Sequence, residues 1–243
     1  MSLRGAKPQL TLDLFKTAQH DFASFVSGAN HQALRAVREW SGGTGARIVH
    51  LRGGAASAKS HLLQAAIVAA ASSGARAMYV PLRELFPAGV QLLDDLDSVD
   101  MLALDDIDMC AGHREWELRL FNLYNAVHGS ERWLLWSARS EAAFALPDLA
   151  SRVKASLIYQ LHELRDAEKA AVLRNRARQR GLELPEAVVE FIMLRERRDM
   201  TTLVALLDEL DAVALALGRA LTVPFVREVL ARRGTAEELN SPL

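Results

Sequence analysis

The sequence lacks the features of a secreted or membrane-embedded protein. It has one cysteine, Cys110, so no intramolecular disulfide can form, and this fits a reducing cytoplasm. No apolar run approaches the ~20 residues that cross a bilayer, and residues 1–9 lack the apolar stretch of a secretory signal. We therefore expect a cytoplasmic protein without membrane contact, in which Cys110 is a small buried hydrophobe rather than a nucleophile.

An excess of charge of either sign is also missing. The chain has 29 Lys and Arg against 30 Asp and Glu, a net charge of −1, whereas a surface devoted to DNA normally needs a strong basic excess. We therefore expect no direct sequence-specific DNA binding, although a local basic patch is compatible with this balance. The length of 243 residues, 50% of them hydrophobic, suffices for one large domain or two modest ones.

The chain alternates between strands and helices and then becomes wholly helical. Short apolar runs predict strands at 47–51, 77–81, 101–104 and 133–136. Helical patterns cover 60–71, 166–179, 185–197, 200–217 and 224–232, with a frayed tail predicted over 234–243. This order predicts an α/β domain with a largely parallel sheet and then an all-α domain. The predicted segments are an N-terminal peptide 1–18, an α/β domain 19–162 and a helical domain 163–243.

A phosphate-binding loop with one unusual residue follows the first predicted strand. The pattern G-x-x-x-x-G-K-[ST] is supplied by Gly53, Lys59 and Ser60, but Ala58 replaces the glycine before the lysine. The strand–loop–helix context is the one that such a loop requires. We predict that Gly53, Gly54 and Lys59 contact phosphate and that Ser60 contacts Mg²⁺ if a nucleotide–Mg²⁺ complex is bound. Ala58 indicates a scaffold that no longer serves fast turnover.

Two acidic residues end the third predicted strand. Asp105 and Asp106 follow an apolar run, as in proteins that hold Mg²⁺ and orient an attacking water beside a phosphate-binding loop. In this interpretation Asp105 is the metal-side carboxylate and Asp106 the water-side one. The alternative is a buried strand that ends in a solvated acidic turn.

Alternating leucines near the N-terminus form a candidate docking peptide. It is similar to the Gln-Leu-x-Leu-x-Leu peptide with which proteins dock on the bacterial sliding clamp, the β subunit of DNA polymerase III. A short extended segment can place a glutamine at a pocket rim and leucines as apolar anchors. An amphipathic edge strand is the alternative. The candidate residues are Gln9, Leu10, Leu12, Leu14 and Phe15.

Several segments together resemble the AAA+ module of the bacterial initiator DnaA. They are residues 22–30, 53–60, 104–107, 146–152 and 180–185, and the resemblance covers roughly residues 20–232. The chain ends where the helix-turn-helix DNA-binding domain of DnaA would begin. Together with the docking peptide, this makes it more similar to the paralogous family of DnaA regulatory inactivators, Hda.

The resemblance implies both a fold and a function. The fold would be that of an AAA+ P-loop NTPase, a parallel sheet flanked by helices and followed by a small all-α lid. The function would be to dock on the sliding clamp and promote hydrolysis of DnaA-bound ATP, which prevents re-initiation of chromosome replication. Arg152 would be an arginine finger that acts on the nucleotide of DnaA. A surface arginine that caps its own turn is the alternative.

Departures from the DnaA pattern concern the chain's own nucleotide site. Ala138 stands where DnaA has a polar sensor, and Thr201 stands where it has a phosphate-sensing arginine. Together with Ala58, these changes predict negligible intrinsic ATP hydrolysis, with ADP bound at least as well as ATP or the pocket left empty. A working ATPase, such as a truncated initiator or a helicase loader, and a nucleotide-regulated DNA-binding module are the alternatives. The oligomeric state is left open, with a homo-oligomer among the outcomes.

Overall fold

The computed structural model describes residues 21–94, 96, 99–139, 142–197 and 199–239, with only the backbone described at 201 and 234–239. The five strands are β1 (Ile48–Arg52), β2 (Ala77–Pro81), β3 (Met101–Asp105), β4 (Trp133–Ala138) and β5 (Leu157–Gln160). The helices of the described residues are α1 (His31–Ser41), α2 (Lys59–Ser72), α3 (Leu82–Leu85), α4 (Arg114–His128), α5 (Pro147–Ala155), α6 (Asp166–Gln179), α7 (Glu186–Arg195), α8 (Met200–Leu217) and α9 (Val223–Leu239).

The strands form one parallel sheet in the order β2-β3-β4-β1-β5. Parallel strands need crossover connections, and the helices between them cover both faces of the sheet. The inner strand β3 is buried throughout, which agrees with the apolar run that precedes Asp105. This topology brings the carboxyl ends of all five strands to one edge, where ligands bind in open α/β sheets.

Three apolar clusters hold the molecule together. One packs α4 and α5 against one face of the sheet around Trp136, and a second packs α1 and α2 against the other face around Trp40. The third joins α6 to α9 around Phe225 and contains no residue of the sheet. The C-terminal helices therefore bury a core of their own. The boundary predicted near residue 162 lies between β5 and α6 and stays a prediction.

The predicted fold class is confirmed, while some elements differ from the prediction. The edge strand β5 was missed because it is largely exposed, which removes the apolar run that marks a buried strand. Helices α1 and α5 were also missed. The prediction of a frayed tail over 234–243 was wrong in part, because α9 continues to Leu239. Cys110 is buried as expected, and burial raises the pKa of its thiol to about 12.

Candidate functional site

The phosphate-binding loop joins β1 to α2 at the carboxyl edge of the sheet. A Cβ at Gly53 would lie 2.5 Å from Ser57 Oγ and 2.6 Å from the Leu161 carbonyl oxygen, so only glycine fits there. Ala58 has φ 61° and ψ 29°, the left-handed conformation that glycine adopts without cost. The loop thus keeps the curvature of a glycine-containing loop, but with a residue that is strained in it.

The loop lysine is turned onto its own loop. Lys59 is 4% exposed, and its Nζ donates to the carbonyl oxygens of Gly53 and Gly54, each at 2.8 Å. Burial lowers the pKa of Lys59, while the charges of Asp106 and Asp105 oppose this shift. The ammonium group is therefore bonded to the backbone of the loop itself. Ser60, in the first turn of α2, is exposed.

The two candidate metal-site carboxylates have different surroundings. Asp105, at the end of β3, accepts hydrogen bonds from the hydroxyl of Tyr79 at 2.7 Å and from that of Ser137. Both donors are neutral and lie on the neighbouring strands β2 and β4. Burial raises the pKa of Tyr79, and the charge of Asp105 raises it further, so the phenol stays a donor. Asp105 is thus a buried carboxylate whose oxygens are bound within the sheet.

Asp106 is paired with two arginines. Its Oδ2 lies 2.6 Å from Nε of Arg83, which follows β2, and its Oδ1 lies 3.8 Å from Nε of Arg139, which follows β4. The Asp106 backbone is left-handed, with φ 57°. A carboxylate oxygen that already accepts from a guanidinium group is less available to orient an attacking water. This arrangement disfavours the water-side role.

A cavity of about 410 Å³ opens between the loop and the C-terminal helices. This size is within the range of small-molecule sites. Lys59 and Ser60 line it on the loop side, and Arg176 of α6 lines it on the lid side, while Ser24, Phe25 and Val26 supply an N-terminal wall. The cavity therefore lies where the sequence predicted a nucleotide.

The N-terminal wall is attached to α2 through a histidine. The His61 ring lies edge-on to Phe25 at 5.4 Å, and its Nε2 is 3.0 Å from the carbonyl oxygen of Asp21. Further along, the Asn30 side chain donates to the His162 carbonyl at 2.9 Å and accepts from the His162 N–H at 2.8 Å. These bonds fasten the segment before α1 to both the loop helix and the connection to the lid.

The lid side of the cavity is formed by α6 and α8. Val172 and Arg176 of α6 lie opposite Met200, Val204 and Asp208 of α8. Thr201, which replaces the phosphate-sensing arginine, is in the first turn of α8, but its side chain is not among those described. The cation on the lid side of the described cavity lining is therefore Arg176 on α6, a residue that no sequence motif marked.

Arg152 lies on α5, away from this cavity. Its side chain is exposed, and its guanidinium carbon lies 5.8 Å from the centre of the Tyr124 ring. It is not among the residues that line the cavity, and it forms no ion pair with another described residue. The geometry fits an arginine presented outward, and its proposed action on DnaA stays a prediction.

A buried carboxylate fixes the start of the Arg152 helix. Glu117 of α4 is fully buried and accepts from the N–H groups of Gly112 at 2.7 Å, Ala145 at 2.9 Å and Leu146 at 2.6 Å. Burial alone would raise the pKa of Glu117, but these backbone N–H groups outweigh it, and the pKa is lowered. Leu146 is the residue before α5, so Glu117 connects α4 to the Arg152 helix.

Several site residues were missed from the sequence. Each lies within a strand, just after a strand or on the lid, and only the tertiary structure brings them together. The sequence held a weak signal for the residues near Asp105, because the neighbours of β3 in a parallel sheet place their carboxyl ends beside it. The missed residues are Tyr79, Arg83, Arg176 and the contacts of Ser137 and Arg139.

The clamp-docking residues Gln9, Leu10, Leu12, Leu14 and Phe15 lie outside the described residues.

Within the described residues, no group of three or more His, Cys, Asp or Glu side chains is placed to hold a metal ion. No helix of this part of the chain is long and apolar enough to cross a membrane. Ser60 lines the cavity, whereas Asp105 is not among its lining residues and its oxygens accept hydrogen bonds from Tyr79 and Ser137. A Mg²⁺ site at Ser60 and Asp105 therefore stays a prediction.

Solved structures share this fold. Domain III of DnaA from Thermotoga maritima matches with a TM-score of 0.76 at 21% identity, covering 89% of this chain and 97% of that one. AMPPCP-bound DnaA from Aquifex aeolicus matches at 0.66 and 20% identity, over 81% of this chain and 66% of that one. The RuvB Holliday junction branch migration motor of Thermotoga maritima matches at 0.62 and 15% identity, over 83% and 67%.

The solved structures show the fold, and matches to protein-family models also show the family. The model of the bacterial DnaA ATPase domain matches residues 16–162, and the model of the Hda lid domain matches residues 166–230. Both matches confirm the resemblance inferred from the motifs. Since the first match alone spans more than half of the chain, this protein belongs to the family of the bacterial DnaA ATPase domain, and it carries a C-terminal lid of the Hda type.

Proposed function

We propose that this chain is a regulator of replication initiation that promotes hydrolysis of ATP bound to DnaA. It docks on the sliding clamp through its N-terminal peptide and presents Arg152 to the nucleotide of DnaA. Conversion of DnaA-bound ATP to ADP then prevents re-initiation. The DnaA-type ATPase domain and the Hda-type lid support this proposal at the level of the family.

The position of Arg152 is the observation that carries the proposal. A guanidinium that serves its own nucleotide site would line that cavity, whereas Arg152 is exposed on α5 and contacts Tyr124. An arginine supplied in trans stabilises charge on the phosphoryl group being transferred and raises the rate by roughly 10³–10⁵. The exposed arginine therefore fits a contribution to a partner's site better than one to its own.

The chain's own site supports a regulator rather than an ATPase. Lys59 is bonded to its own loop carbonyls, and Ala58 is strained. Asp106 is paired with Arg83 and lies near Arg139. Hydrolysis needs a carboxylate that is available to the attacking water and several cations on the γ-phosphate. We therefore propose that intrinsic ATP hydrolysis is negligible.

The cavity is proposed to hold ADP. The Aquifex DnaA structure is that of an AMPPCP-bound protein, and the cavity of this chain combines the loop with apolar walls. Lys59, Gly53 and Gly54 would contact phosphate, while Ser60 and Asp105 would hold Mg²⁺. When bound, the nucleotide supplies a charge that these residues neutralise and a surface that joins the loop to the lid.

The decisive experiment replaces the proposed finger. The Arg152→Ala protein should fold and bind the clamp normally but fail to stimulate hydrolysis of DnaA-bound ATP. Lysine at this position should recover little, because it lacks the planar fork that spans phosphate oxygens. The measurement is the ADP fraction on radiolabelled DnaA in the presence of DNA-loaded clamp. Lys154→Ala, on the same helix, is the matched control, and full stimulation by Arg152→Ala would remove the trans mechanism.

A separate experiment addresses clamp docking. Changing Gln9 and Leu10 to alanine should abolish clamp binding in a pull-down, since few anchors dominate so small an interface. The melting temperature should stay unchanged, because a docking peptide contributes nothing to the folded core. A large fall in melting temperature would instead support an edge strand. Loss of clamp binding with intact Arg152 separates docking from catalysis of hydrolysis.

A further inference from the structure

One arginine on the lid side of the cavity lacks a full set of partners. Arg176 lines the cavity from α6, and its Nε is buried without a hydrogen-bond acceptor among the described residues. Burial lowers its pKa, Asp208 opposes this shift, and the charge of Arg180 adds to it. A guanidinium nevertheless stays protonated in a protein. The free protein thus holds a partly buried cation whose Nε–H has no acceptor, which costs free energy.

The lid carboxylate that lines the cavity, Asp208, is engaged by a different arginine. Asp208 Oδ1 lies 2.6 Å from Nη1 of Arg180, and Asp211 Oδ2 lies 3.8 Å from the same nitrogen. Arg180 thus pairs with both of these α8 carboxylates. Arg176, one turn earlier on α6, keeps hydrogen-bonding capacity for an anion that enters the cavity.

The start of α8 is poorly suited to receive that anion. The Asp199 carboxylate caps this helix and accepts from Thr202 N and Thr202 Oγ1, each at 2.9 Å. The backbone N–H of Thr202 lowers the pKa of Asp199, so the cap is negative at neutral pH. A negative cap offsets the positive end of the helix dipole and repels a phosphate placed there. An anion on the lid side is therefore better held by α6 than by α8.

We infer that Arg176 binds the phosphates of a nucleoside diphosphate in this cavity. It supplies from α6 the lid cation that position 201 does not provide. Lys59 lies on the opposite wall, and Phe25, Val26 and Val172 offer apolar surface for the base and sugar. An anion with an apolar portion fits such a cavity better than a bare phosphate. The inference rests on the proposed nucleotide site and names the residue that determines its ligand.

The test compares two arginines on the same helix. Arg176→Met keeps the apolar stem and removes the charge, and Arg178→Met does the same at an exposed position. Titration calorimetry with ADP should show a roughly ten- to hundredfold loss of affinity for Arg176→Met, as expected for a lost charge-assisted bond, and no loss for Arg178→Met. Without ligand, the Arg176→Met protein should melt no lower than the wild type, because an unpaired buried charge has been removed.

Each other result contradicts the inference in a recognisable way. Unchanged ADP affinity of Arg176→Met removes the role of Arg176 and leaves the nucleotide site intact. Equal losses in both variants indicate a general charge effect. A melting temperature several degrees lower without ligand would show that Arg176 is structural. Failure of the wild type to bind ADP would overturn both this inference and the proposed nucleotide site, while clamp docking and the action of Arg152 would be unaffected.

Discussion

Ala58 has a backbone conformation that residues with a Cβ seldom adopt. Its φ of 61° falls in the left-handed region, where a non-glycine residue is destabilised by about 1–2 kcal/mol. Its carbonyl oxygen accepts a hydrogen bond from Leu62 N at 3.2 Å, within α2. The residue before the loop lysine therefore keeps the geometry of the glycine that it replaces, at a cost in stability.

Restoring glycine at this position should stabilise the protein. We expect Ala58→Gly to raise the free energy of unfolding by about 1 kcal/mol, because relief of the left-handed strain exceeds the added entropy of the unfolded chain. Urea unfolding provides the measurement. Ala56→Gly is the control, since Ala56 has no positive φ and its replacement should be neutral or destabilising. Lower stability of Ala58→Gly would mean that the strain is absent in solution.

His50 is a buried titratable group inside the sheet. It lies on β1 with 3% of its surface exposed, and its ring meets that of Trp136 at 6.1 Å. Burial, together with the nearby charge of Arg52, lowers its pKa from 6.5 to about 4. The unfolded chain therefore binds a proton at a higher pH than the folded chain does.

Because of His50, the free energy of unfolding should decrease as the pH is lowered. The contribution of neutral His50 is complete above pH 6.5 and is lost as the pH falls toward about 4, a change of about 3 kcal/mol. His50→Leu should reduce the slope of the free energy of unfolding against pH by the equivalent of about one proton. His31→Leu, at an exposed position on α1, should leave that slope unchanged. Urea unfolding between pH 4 and 7 gives the slopes. Equal slopes for His50→Leu and the wild type would contradict the shift.

At the scale of elements, α4 holds the Arg152 helix at two points. Glu117 binds the N–H groups of Ala145 and Leu146 just before α5 begins. Seven residues further along α4, the Tyr124 ring contacts the Arg152 guanidinium. The direction in which Arg152 points is therefore determined by α4 as well as by α5 itself.

Removal of the Glu117 carboxylate should loosen that attachment. Glu117→Ala removes the acceptor of three partly buried N–H groups, a loss of about 3 kcal/mol, and Glu117→Gln should lose less because it keeps one acceptor oxygen. Urea unfolding gives the stability, and the ADP fraction on DnaA gives the effect on stimulation, which should fall in the same order. Glu115→Gln, exposed on the same helix, is the control. Full stimulation by a folded Glu117→Ala protein would show that α5 needs no such support.

The pH dependence of this attachment has a definite sign. The folded pKa of Glu117 is lowered from 4.5. Its stabilising effect is therefore present above pH 4.5 and is lost as the pH falls through the lower folded value. His50 and Glu117 both weaken the fold in acid, so the wild type should be most stable above pH 6.5.

At the scale of the whole molecule, the cavity connects two separate cores. The loop belongs to the sheet domain, and the opposite wall belongs to the helices that pack around Phe225. A ligand that contacts both walls stabilises the arrangement of the two parts. The strained Ala58 and the paired Asp106 imply that a triphosphate gains little over a diphosphate.

Nucleotides should therefore stabilise the protein without turnover. ADP at about 100 times its Kd should add about 2.7 kcal/mol to the free energy of unfolding, and ATP should add no more. Thermal unfolding with ADP, ATP or no nucleotide measures this, with phosphate release as the assay of hydrolysis. Lys59→Ala is the matched variant that should lose the shift. Tight ATP-selective stabilisation with turnover would favour a working ATPase.

Local sequence patterns were sufficient for much of this protein. The glycines, Lys59 and Ser60 identified the loop because such loops are defined by consecutive residues. Apolar runs identified four of the five strands, and the helix boundaries of α6 and α8 followed from their periodicity. The pattern in α1 was present as well, since Ala33, Ala36, Val37 and Trp40 repeat at helical spacing and are buried. Local propensity and burial are encoded by near neighbours along the chain.

Tertiary structure alone decided what the site residues contact. The sheet order places β2 and β4 on either side of β3, which brings Tyr79 and Ser137 to Asp105 and the two arginines to Asp106. The lid places Arg176 across a cavity from Lys59. These pairs are separated by tens of residues, and their meeting depends on how the helices and strands pack. Sequence by itself determined the elements and the loop, while packing determined which charges are satisfied and which remain available to a ligand.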